Sequence, residues 1–127
     1  MTLKVIVQGK AKGKIMKSDN AINFLGAVDK KTGMIRDNKY NIFNKSIKDS
    51  ILVFPHGIGS SVGAYTIYSL KSNNAAPRAM ICQKADLTVA SGCALANIPF
   101  VVASEDEYNS LEENKEIILD TEMKKIL

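Results

Sequence analysis

The second half of the chain alternates short apolar runs with segments of helical periodicity. Continuous apolar runs at residues 51–54 and 79–82 are typical of strands buried on both faces, and residues 98–102 predict a third strand. Between them, residues 60–70 and 86–96 predict helices, the second with Asp86 or Thr88 as its N-cap. This order predicts right-handed crossovers and a core of parallel strands, which is an α/β fold.

The first half has a different pattern. Residues 3–7 and 13–16 are rich in β-forming residues and predict two short strands. From residue 18 to 50, turn-forming residues interrupt short apolar patches, which predicts a long ordered loop with small β elements. Such a loop is unusual in a compact domain unless it has a function. Near the C-terminus, residues 105–111 predict one or two helical turns and residues 116–120 a final strand.

Length and composition indicate one ordinary globular domain. A chain of 127 residues is too short for two typical domains, so we expect residues 1–127 to form one. No apolar run has membrane-spanning length and no signal peptide is recognisable, so we expect a cytoplasmic protein without a membrane partner. The spacing of Cys82 and Cys93 fits neither a redox pair nor a zinc site, so we expect two buried, reduced thiols and no metal in this chain.

Charge is unevenly distributed along the chain. Residues 1–50 carry 11 Lys and Arg against 4 Asp and Glu, whereas residues 51–127 carry 6 against 9. The lysines of the basic half are scattered, without interleaved aromatic residues or a recognisable binding motif. This distribution favours a solvated lysine-rich face over a nucleic-acid site.

We expect any chemistry of this chain at the sequence PHGIGSSVG, residues 55–63, between a strand and a helix. Glycines let a ligand approach the backbone, and a helix that begins at the serines would offer N–H groups to a carboxylate or phosphate. The segment lacks the lysine of a P-loop and the third glycine of a dinucleotide fingerprint. Ser61 fits a nucleophile elbow, but the chain is short for a hydrolase and its one histidine, His56, lies upstream. A structural turn with a serine N-cap is the alternative.

Three separated motifs carry a family resemblance. They are PHGIGSS at residues 55–61, FLGAVD at residues 24–29 followed by Thr32 and Gly33, and APRA at residues 76–79. In this order they resemble the swivelling-domain small subunit of the aconitase X family, over nearly the whole chain. The resemblance implies a single swivelling β/β/α domain and a large partner subunit that supplies an iron–sulfur cluster and most substrate contacts. It implies no cofactor bound by this chain itself.

The resemblance also implies roles for residues of the turn. The family's serine in the GxGS pattern maps onto Ser60, which would be the general base that removes a proton from the carbon beside a substrate carboxylate. Gly57 and Gly59 would shape the turn around the substrate. Ser61 would contact the substrate or cap the helix, and the two serines could exchange these roles. Asp29 would bind the substrate or hold its own loop.

Four further positions near these motifs have less defined roles. The family pattern has serine and glycine where this chain has Asn23 and Ala27, and we expect the loop to keep its form because asparagine can replace a serine hydrogen bond. For His56 we expect a structural role. For Arg78 we expect a solvated or salt-bridged role instead of a phosphate contact.

The resemblance leaves three functions open. A free-standing small subunit of this kind implies a hydro-lyase, active only with its large subunit, that dehydrates (R)-5-phosphomevalonate to trans-anhydromevalonate 5-phosphate in the archaeal mevalonate route to isoprenoids. The same subunit type could serve a dehydratase of another hydroxy acid, such as hydroxyproline. A non-catalytic swivelling binding module is the third possibility.

Overall fold

The computed structural model describes residues 3–127, and within them seven strands form one curled sheet in the order β1-β5-β4-β3-β2-β6-β7. Four helices join or flank the strands. In chain order the elements are β1 Lys4–Val7, β2 Lys10–Lys17, α1 Phe24–Ala27, β3 Ile51–Phe54, α2 Gly63–Ser72, β4 Ala79–Cys82, α3 Leu87–Ala96, β5 Phe100–Val102, α4 Glu105–Ser110, β6 Glu116–Asp120 and β7 Lys125–Ile126.

The centre of the sheet is parallel and its margins are antiparallel. Strands β2, β3, β4 and β5 pair in parallel, with Leu52 opposite Met80 and Ile81 opposite Val101. Strand β1 pairs antiparallel with β5, and β6 pairs antiparallel with both β2 and β7. The predicted α/β fold with a parallel core is therefore confirmed.

Strand β3 shows why the sheet has a core on both faces. Its side chains alternate, as the period of an extended strand requires. Leu52 and Phe54 join the cluster beneath α2 and α3, whereas Ile51 and Val53 join the cluster that contains Tyr108 of α4. All four β3 side chains are completely buried. A continuous apolar run is thus needed at this position, which is the pattern that the sequence carries.

The predicted long loop between β2 and β3 is ordered by buried side chains. It contains the short helix α1 and isolated β-bridges, among them Val28 with Ile35. Its apolar residues belong to the core beneath the helices; the fully buried ones include Ile22, Phe24, Ile35, Ile42 and Ile47. The segment therefore packs as part of the domain.

Helix α2 begins later than predicted. We expected a helix from residue 60, with a serine N-cap as an alternative interpretation of the turn, but α2 starts at Gly63 and its N-cap residue, Val62, contributes no side-chain hydrogen bond. The Ser60 hydroxyl instead accepts the N–H of Val62 at 3.1 Å, which forms a serine turn ahead of the helix. For α3, Asp86 is the N-cap and Thr88 is not. Strand β7 was not predicted.

No helix within residues 3–127 combines the length and the apolar character that crossing a bilayer requires.

Candidate active site

The turn between β3 and α2, residues 55–62, is here called the active-site turn. It follows the carboxyl end of β3, and β4 and β5 end at the same edge because these strands are parallel. We call this the carboxyl edge of the sheet and the opposite one the amino edge. Ligands of open α/β sheets bind outside the carboxyl ends of the strands, so the turn has the position expected of a site.

The first half of the active-site turn is fixed by backbone pairing with the segment that follows β2. The N–H of Ile22 donates to the carbonyl of His56 at 3.0 Å, and the N–H of Ile58 donates to the carbonyl of Ile22 at 3.0 Å. The two bonds form an isolated parallel bridge between Ile22 and Gly57, three residues after the end of β3. The sequence motif FLGAVD therefore begins beside the motif PHGIGSS, although about 30 residues separate them.

Gly57 is required by close packing. A carboxylate oxygen of Asp86 accepts its N–H at 2.8 Å, and a Cβ at this position would lie 2.6 Å from a methyl carbon of Val89. The other oxygen of Asp86 accepts the N–H of Val89 at 3.3 Å, as an N-cap of α3. The sequence predicted Asp86 only as a possible cap. A signal for its place in the site was present in the sequence, because Asp86 lies four residues after the end of a buried strand, at the edge where the turn lies.

Gly59 is required by both conformation and packing. Its φ is +90°, a region that residues with a side chain rarely adopt. An added Cβ would also lie 2.7 Å from the side-chain amide carbon of Asn23. Asn23 caps α1, because its amide oxygen accepts the N–H of Gly26 at 3.2 Å. Asn23, which stands where the family pattern has serine, thus makes a capping hydrogen bond and borders the turn.

Ser60 and Ser61 are both exposed but differ in their contacts. The Ser60 oxygen accepts one hydrogen bond, from the N–H of Val62, and its own O–H proton has no acceptor within residues 3–127. Ser61 makes no side-chain hydrogen bond to any described residue, so it does not cap the helix, and of the two roles left open for it only substrate contact stays a prediction. A donor to the Ser60 oxygen stabilises its anion. Of the two hydroxyls, that of Ser60 has the better environment for a base.

Three consecutive backbone N–H groups of the active-site turn are unpaired. Those of Gly59, Ser60 and Ser61 have no hydrogen-bond partner among residues 3–127, and all three residues are exposed. Successive free backbone N–H groups can donate to one anion. The turn can therefore bind a carboxylate or phosphate oxygen without a basic side chain.

Asp29 holds its own loop. One oxygen accepts the N–H groups of Lys31 at 2.9 Å and Thr32 at 3.3 Å, and the other pairs with Arg36 at 3.1 Å. The hydrogen bond from the Lys31 backbone, followed by that from Arg36, lowers the pKa of Asp29 below its ordinary value of 3.8. These contacts match the loop role that the sequence allowed. The contact of Asp29 with a substrate stays a prediction.

His56 is half-buried and turned onto its own backbone. Its Nδ1 lies 2.9 Å from the carbonyl oxygen of Gly57. A carbonyl only accepts, so Nδ1 carries the proton and donates to it. This contact supports the structural role expected for His56.

Exposed apolar side chains surround the active-site turn. Helix α1 and the first turns of α2 and α3 meet at Gly63, where an added Cβ would lie 3.2 Å from a Thr88 methyl carbon and 3.8 Å from the Leu25 nitrogen. We call the exposed set on these elements and the turn the apolar rim. Its members are Leu25, Ile58, Val62, Tyr65 and Leu87. Leu87 is 82% exposed, the highest exposed fraction among these side chains.

Arg78 and two lysines of the basic half, Lys10 and Lys12, lie at the amino edge, away from the active-site turn. Arg78 precedes β4, at the amino edge, and there it lies 3.8 Å from the Asp49 carboxylate. Lys10 and Lys12 lie on β2 and pair across the sheet with Asp120 at 3.9 Å and Glu116 at 3.4 Å. These pairs agree with a salt-bridged, solvated face, as the sequence predicted.

The cysteines do not suit a metal or cluster. Cys82 and Cys93 are fully buried, and burial raises the pKa of both thiols well above the ordinary range. The Cys93 sulfur lies 3.6 Å from that of Met80. Across residues 3–127, no group of three or more potential ligands could hold a metal ion. An iron–sulfur cluster therefore does not fit the side chains of residues 3–127.

The fold and the turn together define a swivel domain of the aconitase type. The family model for the aconitase X swivel domain matches residues 1–127. The chain therefore belongs to the aconitase X swivel-domain family.

Relatives of known name span most of the chain. A protein of Methanothermobacter thermautotrophicus named phosphomevalonate dehydratase small subunit is 39% identical over 124 residues, which are 97% of this chain and 95% of that protein. A protein of the same name from Methanococcoides burtonii is 47% identical over 98 residues, 77% of this chain and 72% of that one. The crystal structure of Thermococcus kodakaraensis aconitase X in its holo form superposes with a TM-score of 0.92 at 39% identity, covering 99% of this chain and 96% of the other.

Proposed function

We propose that this chain is the small subunit of a two-subunit hydro-lyase that dehydrates (R)-5-phosphomevalonate to trans-anhydromevalonate 5-phosphate, in the archaeal mevalonate route to isoprenoids. The observation that carries the proposal is the near full-length similarity to small subunits named for phosphomevalonate dehydratase. The exposed, conformationally fixed Ser60 turn supports it, because such a turn has the position and the chemistry that elimination needs.

Ser60 is the general base of the proposed reaction. Its oxygen takes a proton from the carbon beside the substrate carboxylate, the electron pair of that C–H bond becomes the new double bond, and the hydroxyl group on the next carbon leaves. The leaving hydroxide takes up a proton to become water, the second product, and Ser60 gives up the proton that it gained, so the net reaction is loss of one water from the substrate. A positioned base contributes typically 10²–10⁴-fold to such a step.

A serine hydroxyl loses its proton only if its surroundings stabilise the alkoxide. The Val62 N–H, 3.1 Å from the Ser60 oxygen, supplies one hydrogen bond to the anion. The amino end of α2 adds partial positive charge. The turn, residues 55–62, contains no Lys or Arg, so the remaining stabilisation has to come from outside the turn.

The unpaired N–H groups of Gly59, Ser60 and Ser61 bind the anionic part of the substrate in this proposal. They lie on the same turn as the Ser60 hydroxyl, so an oxygen held there is adjacent to the base. Holding the substrate in a fixed geometry beside the base replaces a random encounter, and such positioning contributes a large part of the rate acceleration by enzymes. Gly57 and Gly59 contribute by keeping the backbone accessible.

The large subunit completes the site. We assign the iron–sulfur cluster to that partner, since the two cysteines of this chain are buried and no cluster fits it. The apolar rim is the docking face in this proposal, because its exposed leucines, valine and tyrosine surround the residues that have to meet a substrate held by the partner. We place the complex in the cytoplasm.

Reconstitution tests the proposed function. The isolated chain should be colourless and inactive, whereas its mixture with the large subunit of the same organism should form water and trans-anhydromevalonate 5-phosphate from (R)-5-phosphomevalonate. Hydroxyproline is the control substrate. Turnover of hydroxyproline in place of phosphomevalonate would assign the chain to the alternative dehydratase, and binding without any turnover would favour a non-catalytic module.

A further inference from the structure

We propose that Asp86 is a positioning residue, which holds the active-site turn so that the Ser60 hydroxyl keeps one direction. The inference rests on the proposed function of Ser60 as the base. Asp86 lies outside the three motifs of the family resemblance, on the loop between β4 and α3.

Both oxygens of the Asp86 carboxylate hold backbone groups of different elements. One accepts the N–H of Gly57 at 2.8 Å and the other accepts the N–H of Val89 at 3.3 Å. Gly57 belongs to the active-site turn, three residues before Ser60, and Val89 belongs to the first turn of α3. One side chain therefore ties the turn to a rigid helix of the core.

The contact with Gly57 is short and direct. A Cβ at Gly57 would lie only 2.9 Å from each Asp86 oxygen. A hydrogen bond with an ionised acceptor is about twice as strong as a neutral one. The bond therefore restrains the position of the Gly57 backbone relative to α3.

Asn23 supports the turn from another side. Its amide borders Gly59, and its own oxygen is held by the N–H of Gly26 at 3.2 Å. Without Asp86, the Gly57 N–H would lose its acceptor, and the turn would be held only by other contacts, such as the pairing of its neighbours with Ile22 and the His56 contact to the Gly57 carbonyl. Misplacement of a reacting group by about 1 Å costs on the order of 10²-fold in rate.

Kinetics of the complex with the large subunit tests this role. Asp86→Ala should lower kcat for dehydration by roughly 10- to 100-fold with a much smaller change in KM, because the base is misdirected while the partner's substrate contacts remain. Asp86→Asn keeps an acceptor for Gly57 and should restore part of kcat. It also serves as the folded variant if Asp86→Ala does not fold.

Asp120 provides the matched control. Its carboxylate also accepts a turn N–H, that of Met123 at 3.1 Å, but it lies at the amino edge of the sheet, opposite Lys10 of β2. Asp120→Ala should lower stability and leave kcat of the intact complex unchanged. A kcat of Asp86→Ala close to that of the wild type, or an equal loss in Asp120→Ala, would overturn the proposal.

A second measurement separates this inference from the proposed function. Amide exchange of Gly57, followed by NMR in the full chain alone, should accelerate at least about tenfold in Asp86→Ala and stay unchanged in Asp120→Ala. If the wild-type complex does not dehydrate phosphomevalonate, the proposed function fails and this exchange still decides whether Asp86 holds the turn. Unchanged exchange in Asp86→Ala would refute that it does.

Discussion

Replacement of Ser60 by alanine separates catalysis from stability. The change removes one exposed hydroxyl and its single hydrogen bond, to the N–H of Val62 at 3.1 Å. Such a bond contributes about 0.5–1.5 kcal/mol, and the low end applies here because water can replace the hydroxyl at an exposed turn. The expected fall in melting temperature is about 4 °C or less. The chain, stable by about 5–15 kcal/mol, stays folded.

The expected loss of activity is much larger than this loss of stability. Removal of a general base lowers kcat by about 10²–10⁴-fold, which corresponds to roughly 3–5 kcal/mol of the barrier. Ser60→Ala should therefore form a normal complex with the large subunit and lose most dehydration of phosphomevalonate. Turnover, melting temperature and the association constant need to be measured on the same preparation.

Ser61→Ala is the control for this experiment. The Ser61 hydroxyl makes no hydrogen bond to any of residues 3–127, so its loss should leave stability unchanged and affect KM more than kcat. Normal turnover in Ser60→Ala together with loss in Ser61→Ala would identify Ser61 as the base. Normal turnover in both variants would refute the catalytic role of the turn.

Three further outcomes follow from the structure. Gly59→Ala should destabilise the fold by about 2 kcal/mol, because φ is +90° and a Cβ would lie 2.7 Å from Asn23; an unchanged urea midpoint would contradict this. Leu87→Asp should weaken binding of the large subunit at least about tenfold, whereas Leu95→Asp, at the far end of α3, should not; equal effects would exclude the apolar rim as the docking face. Backbone N–H groups, first that of Lys31, lower the pKa of Asp29 in the folded chain. The contribution of this carboxylate to folding stability is therefore complete above pH 3.8 and is lost as the pH falls through the lower pKa of the folded state. Asp29→Asn should remove this part of the acid sensitivity, and identical pH profiles of unfolding for the variant and the wild type would show that the carboxylate does not hold the loop.

Local patterns were sufficient to predict the central elements. The strand at residues 51–54 was found because burial on both faces requires an unbroken apolar run, and its four side chains are indeed buried. Asp86 was found as a cap candidate because aspartate at that place accepts helix N–H groups. These signals depend only on neighbouring residues, which a sequence displays directly.

The contacts around the active-site turn could not be predicted in the same way. Gly57 and Asp86 are 29 positions apart, and they meet only because β3 and β4 pair in parallel and end at one edge. The alternative of a serine N-cap is not found in the structure for a related reason. A serine hydroxyl can accept the backbone N–H two residues further on, as well as an N–H of a helix N-terminus. The Ser60 hydroxyl accepts the N–H of Val62, which is the first of these two arrangements.

The two edges of the sheet differ in how well their polar and apolar groups are satisfied. At the amino edge, Arg78 lies beside a carboxylate and Lys10 pairs across the strands. At the carboxyl edge, three neighbouring N–H groups lack a partner among residues 3–127, and Leu87 is almost fully exposed. Unpaired donors and exposed leucine gain free energy when a ligand and a protein surface cover them. In the proposed function, association of the large subunit through the carboxyl edge would cover both kinds of group at once.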